Sequence, residues 1–174
     1  MEFSKTLAVR QSVRKFTDEQ ITEDQLNAIL EAANAAPACM GQYDHLHLTV
    51  VQKPEILAQI NAAFQKAVND PNMQVTYGAP TVIYVSCKNE DEEIIKGCNA
   101  GVVMENMLLE AADLGLGAVY LFGVSQVLFA NEEITKLLQI PEGFRTVSAI
   151  AVGTSADVLQ ERILGTDKIS MTTL

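Results

Sequence analysis

Cysteine, basic charge and long apolar runs are all scarce in this 174-residue chain, and each shortage excludes something. The three cysteines, Cys39, Cys87 and Cys98, are odd in number and have no close pairing in sequence. That argues against a disulfide framework or a zinc ribbon and points to a reducing compartment, the cytoplasm. The apolar stretches around Val102 and Ala149 fall far short of the ~20 residues that a bilayer span requires. Glu2, Lys5 and Arg10 interrupt the first residues and leave no room for an apolar signal core. Lys and Arg number 12 against 22 Asp and Glu, a net charge of −10. A surface this acidic repels phosphate backbones and anionic lipid, so neither nucleic acid nor membrane is an expected partner.

What the chain does have is material for a core. Apolar residues make up 48% against 20% charged, which excludes a disordered chain. With no repeat or linker-like stretch, residues 1–174 read as a single domain. Phe3 and Leu7 mark a short amphipathic helix over about Glu2–Arg10. Thr22 and Gln25 have the form of a capping box, after which Leu26, Ile29, Leu30 and Ala33 recur at helical spacing and stop before Pro37. His45–Gln52 reads as a strand, Pro54 with Ile56, Leu57, Ile60, Ala63 and Phe64 gives a helix, and Asn69–Asn72 is a polar loop. Thr81–Ser86 lacks a polar face, as a mid-sheet strand does. The helix from Ala100 to Leu114 is apolar on most sides and is expected to be central and buried, with Gly115 stopping it. Ala118–Phe122 and Thr146–Val152 are strands, and between them Asn131 caps a short helix ending at Leu138. The expected fold is an α+β layered domain of four strands and about five helices.

Charge is distributed unevenly. The first fifteen residues carry Lys5, Arg10, Arg14 and Lys15 against Glu2 alone, a net +3, which leaves −13 for the rest. Arg10-Gln11-Ser12-Val13-Arg14 sets a hydroxyl between two guanidiniums, a donor set suited to phosphate oxygens. The plainer alternative is a basic helix end complementing its own dipole. His45 and His47 fall on one side of a strand, but no third ligand is near in sequence, so no metal is expected. Cys39 follows a helix C-terminus, whose negative end disfavours a thiolate, so a thiol-dependent enzyme ranks last. Cys87 and Cys98 lie beside apolar segments and are expected in the core. The acids Glu90 to Glu93 read as the solvated start of the central helix. Gly115-Leu116-Gly117 follows a helix and lacks a third glycine, so a separate dinucleotide site is not expected.

Three stretches carry a resemblance. They are RQSVRKF (10–16), APACMGQYDHLHLTVV (36–51) and NAGVVMENMLLEAADLGLGAVYLFG (99–123). Together, in this order, they resemble the nitroreductase-like FMN-dependent oxidoreductases. The resemblance implies a nitroreductase-like fold, a central antiparallel or mixed sheet flanked by helices, in a homodimer with FMN at its interface. It places Arg10 and Ser12 on the FMN phosphate and ribityl chain and Arg14 at the pyrimidine edge. It makes Leu121, Phe122 and Gly123 the strand end whose backbone N–H faces N5. Ala38, Cys39 and Met40 would cover the flavin from the other subunit, and Lys168 would be a phosphate ligand in the tail. It further implies ping-pong transfer from NAD(P)H to a small oxidant such as a nitroaromatic or quinone, with no side chain as acid or base because the cofactor carries the chemistry. The chain departs from many relatives in three places. Ala38–Asp44 replaces a Ser-Ala-x-Asn-x-Gln-Pro-Trp loop, Phe122 stands where some carry Glu, and Lys168 replaces a basic pair. These departures sustain an alternative, a flavin store, sensor or carrier with little turnover.

Overall fold

The structure, a computed structural model, describes residues 2–123 and 131–174. Helix α1 (Phe3–Val9) is short and is tied to the rest by Thr6, whose hydroxyl donates to Asp113 at 2.8 Å. Helix α2 (Glu23–Asn34) opens on the expected capping box: Gln25 N–H donates to Thr22 Oγ1, and the Gln25 side chain accepts from Thr22 N–H. Two short 3-10 turns, Cys39–Gly41 and Tyr43–His45, lead into β1 (Leu46–Val51). Pro54 starts α3 (Pro54–Val68) at a position where its missing N–H costs nothing. Then come β2 (Thr81–Lys88), α4 (Glu93–Asp113), β3 (Gly117–Tyr120), α5 (Glu132–Leu137) and β4 (Phe144–Gly153). Asn131 caps α5 by accepting from the N–H groups of Glu133 and Ile134.

The four strands form one antiparallel sheet in the order β1-β2-β4-β3. Alternation sorts β2 and β4 onto two cores. Ile83, Val85, Ile150 and Val152 face α2 and α4, and Val82, Tyr84, Ala149 and Ala151 face α3 and α5. Burial on both faces explains why neither strand shows a polar side. One bulge interrupts the register between Val85 and Ser86. Helix α4 brings Met104, Met107 and Ala111 to the first core, and Asn106 ties it to α2 by donating to Ala32 O at 3.0 Å. Among the described residues no helix is long and apolar enough to cross a membrane.

Four expectations need correction. Cys98 is exposed, because α4 turns Ala100, Val103 and Met104 inward and so sends Cys98 out with Gly97 and Gly101. Cys87 is buried as expected, and its thiol is pushed up to about 11 by burial first and by Asp91 nearby. The acids before α4 are not uniformly solvated: the Asp91 carboxylate is nine-tenths buried, 2.7 Å from His45 Nδ1. Glu93 pairs with Lys96 and Arg145, which hold its carboxyl below the usual range. His45 and His47 do not converge, since His47 packs edge-on against Phe144. The third strand ends at Tyr120, and Phe122 and Gly123 already have helical backbone.

Replacing Thr22 with Ala removes one half of the capping box. Urea unfolding should show a loss of about 1 kcal/mol with an unchanged m-value.

Candidate functional site

The segment after α1 is built as an outrider to the sheet. Val13 N–H donates to Ala118 O at 3.0 Å, and Ser12 bridges Ala118 in parallel. Continuing that register sets Arg14 level with Tyr120, at the end of β3. Gly117 permits the approach: a Cβ there would lie 2.9 Å from both Val13 methyl groups. On its other side the segment meets the chain leaving β4. Ala156 N–H donates to Lys15 O and Thr17 N–H to Thr154 O, both at 3.0 Å. Gln11 to Lys15 and Ser155 to Leu159 line a groove of about 350 Å³ between these segments.

This groove gathers part of the charge expected from sequence, Arg14 and Lys15, with Asp157 also in its lining and Arg10 outside it. Ser12, Arg14 and Lys15 are exposed and Arg10 is half-buried. Among the described residues neither Arg10 nor Arg14 is in an ion pair, although acids outnumber bases in the chain. The Arg14 guanidinium reaches Ser12 O only at 3.5 Å, the outer limit of a hydrogen bond, so its donors stay available. Arg10 is the residue that ends α1, so the basic cluster does sit at a helix end. Arg14, four residues on and following the sheet-bonded Val13, is beyond the reach of that dipole.

The strand end offers backbone and aromatic groups. Leu121 N–H donates to Ala149 O at 2.8 Å and is therefore committed to the sheet, which removes it as a donor to a ligand. Phe122 and Gly123 follow, both exposed, and among the described residues nothing lies within 4 Å of where a Gly123 Cβ would project. Tyr120 and Phe122 stack with centroids 6.1 Å apart and planes 14° from parallel, a pair left in solvent at 39% and 58% exposure.

The structure holds the remaining candidates elsewhere. Ala38, Cys39 and Met40 lie against α4, where Cys39 N–H donates to the buried Asn99 Oδ1 at 2.9 Å. Met40 has a left-handed backbone (φ 54°) and is 77% exposed, strain of the kind that collects at ligand-contacting loops. Lys168 lies in the exposed tail, beyond the point where Arg162 fastens that tail to α1. Sequence reasoning missed Asn99 and Arg162. An amide on the apolar side of α4 was a signal for Asn99, whereas an isolated Arg in a polar tail signals nothing. Among the described residues no three His, Cys, Asp or Glu side chains gather as for a metal ion. Gly115 takes a left-handed φ of +75° after α4, as a helix-ending glycine does, and Gly117 makes room for Val13.

Comparison with known proteins bears on the family and the fold. The sequence pattern of the Nitroreductase family matches residues 7–154. The chain is 30% identical to a protein of Methanothermobacter thermautotrophicus whose name joins NADH dehydrogenase and NAD(P)H nitroreductase, over 90% of this chain and 79% of that one. It is 24% identical to an FMN reductase [NAD(P)H] of Bacillus subtilis, over 90% of this chain and 67% of that one. A crystal structure of a nitroreductase with bound FMN from Bacteroides fragilis superimposes with a TM-score of 0.85 at 26% identity, covering 99% of this chain and 100% of the other.

Gly117→Ala should push Val13 off β3 and destabilise the fold by about 1–3 kcal/mol, as overpacking does. Adding Val13→Ala should recover most of that loss in urea unfolding; an additive loss would show that the contact does not seat the segment.

Proposed function

We propose that this chain, which belongs to the Nitroreductase family, is an FMN-dependent NAD(P)H oxidoreductase that reduces small conjugated acceptors such as nitroaromatics or quinones. The observation that carries the reading is the seating of Ser12 and Val13 on β3, which holds the basic segment from Arg10 at the end of α1 to Arg14, neither arginine in an ion pair among the described residues, beside the strand that leads to Gly123. These residues suit FMN. Arg10 and Ser12 would hold the phosphate and ribityl chain, charge-assisted donors for a dianion and its hydroxyls. Arg14 would lie toward the pyrimidine edge, and the backbone N–H groups of Phe122 and Gly123 replace the committed Leu121 as donors toward N5. FMN, once bound, would supply two-electron hydride chemistry, with negative charge developing toward its N1–C2 edge. A fixed guanidinium at that edge offsets the charge without reorganisation. No side chain is needed as acid or base.

NAD(P)H and the oxidant would use one flavin face in turn, with parallel-line kinetics. The Ala38–Met40 loop completes the site from a second copy of the chain. A homodimer is also favoured by the outward Gly97, Cys98 and Gly101 positions of α4 and by exposed tail residues such as Ile163, Ile169 and Met171. Three free thiols suit the cytoplasm.

The purified protein should be yellow and dimeric, and anaerobic NADH or NADPH should bleach it within the time of one turnover. A flavin that stays oxidised under both nicotinamides would make the chain a flavin store or carrier instead. Arg14→Ala should weaken FMN binding by about tenfold, the worth of one charge-assisted contact, and should slow bleaching. Unchanged FMN occupancy would remove Arg14 from the site.

A further inference from the structure

A second cleft, of about 560 Å³, opens between the first half of α3 and the turn that enters β2. It shares no lining residue with the Gln11–Lys15 groove. Pro80, on its wall, meets Phe16 across Gly153, where a Cβ would lie 2.7 Å from Pro80 Cδ and 3.2 Å from Phe16 Cδ1. Pro54, Leu57, Ala58 and Ala79 give it apolar surface. Most of its polar side chains are committed to one another. Gln52 Nε2 donates to Thr81 Oγ1 at 3.1 Å, Thr81 Oγ1 donates in turn to Gln20 Oε1, and Gln20 Nε2 donates to Pro80 O at 3.0 Å. Asn61 Oδ1 accepts from the N–H groups of Val75 and Thr76 at 3.0 and 3.4 Å, and Asn61 Nδ2 donates to Thr76 Oγ1 at 3.2 Å.

Three groups are left over, and they define a ligand. The Asp18 carboxylate has no hydrogen bond or ion pair among the described residues, and it is the one charged side chain of the lining. Gln52 Oε1 is an unused acceptor, since its amide nitrogen is engaged. Thr76 is 1% exposed, and its hydroxyl accepts from Asn61, so its own proton has no acceptor among the described residues. A ligand oxygen would remove the cost of that buried, unmatched donor. We propose that this cleft binds a small organic ammonium ion. The cation lies on Asp18 and Gln52, an apolar body lies against Leu57 and Ala58, and a carbonyl oxygen accepts from Thr76. A carboxylate beside an amide oxygen, with no cation in the lining, selects N–H donors and rejects anions. The chain's net charge of −10 draws the same kind of ligand. The hydrogen bonds beneath the cleft hold its floor in place, so binding needs little ordering of the protein. None of this depends on the FMN reading.

4-(Aminomethyl)benzamide carries a cation, a ring and a carbonyl. In NMR titrations of the full chain as purified, it should bind in the millimolar range, as a ligand of its size does. The amides of Asp18, Gln52, Thr76 and Gly78 should shift. Its N-acetylated form, which keeps the ring and carbonyl but not the cation, should bind about tenfold more weakly, and benzylamine, which lacks the carbonyl, about threefold more weakly. Asp18→Asn should bring the free and acetylated amines to within about twofold of each other. Ala58→Lys, at an exposed helix position that lysine suits, should abolish binding by setting a cation in the cleft. No shift at millimolar amine, equal affinity for the acetylated form, or unaltered affinity in Asp18→Asn overturns the ammonium site. Shifts centred on Gln11 to Lys15, or displacement of a bound flavin, overturn its location. A chain that holds no flavin but binds the amine as described overturns the proposed function and supports this site.

Discussion

Everything around the candidate site depends on one close approach, that of Val13 to Gly117. A single hydrogen bond from Val13 N–H to Ala118 O would hold a strand segment only weakly. The missing Cβ at Gly117 lets the Val13 side chain bury against the sheet, and Val13 is 7% exposed. Burial of that one side chain fixes the register, and the register decides that Ser12 and Arg14 alternate with it toward solvent. A chain with net charge −10 thus presents its one dense stretch of positive charge on a rigid support, not on a loose terminus. Rigidity matters because donors that are already placed need no reorganisation when a charged ligand arrives.

The layers on each side of the sheet supply that support. Helix α4 packs into the first core through Met104, Met107 and Ala111, and Thr6 fastens α1 to its end through Asp113. The same helix holds the Cys39 loop through Asn99. One buried helix therefore sets the distance between the basic segment and the loop that is proposed to serve the other copy. Tyr84 belongs to the opposite core, where burial pushes its hydroxyl well above the ordinary phenol range and keeps it neutral.

Local signals were legible where a residue's role is decided by its near neighbours. The Thr22–Gln25 box, Asn131 as a cap, Pro54 at a helix start and Gly115 after α4 all act within a turn. The two-sided burial of β2 followed from its lack of a polar face, and the basic cluster from plain counting. What was illegible depends on distance along the chain. Arg162 meets α1 across 154 positions, and nothing in the sequence near either partner marks the encounter. Cys98 was misplaced because an apolar neighbourhood in sequence says little about which way one helical position points. The third strand was read two residues too long because Leu121 and Phe122 are as apolar as the strand itself. Asp91 looked like one more solvated acid, and only the fold brings His45 to it.

The sheet's two margins differ in kind. Beyond β3 lies the Ser12–Val13 segment, already hydrogen-bonded, whereas β1 is the outermost strand on the other side and pairs only with β2. Backbone groups on the far rim of β1 have no ladder among the described residues. Among the described residues, recruitment of a foreign strand, whether by exchange between copies or by templated misassembly, finds its open margin at β1, while the cationic segment covers the margin at β3.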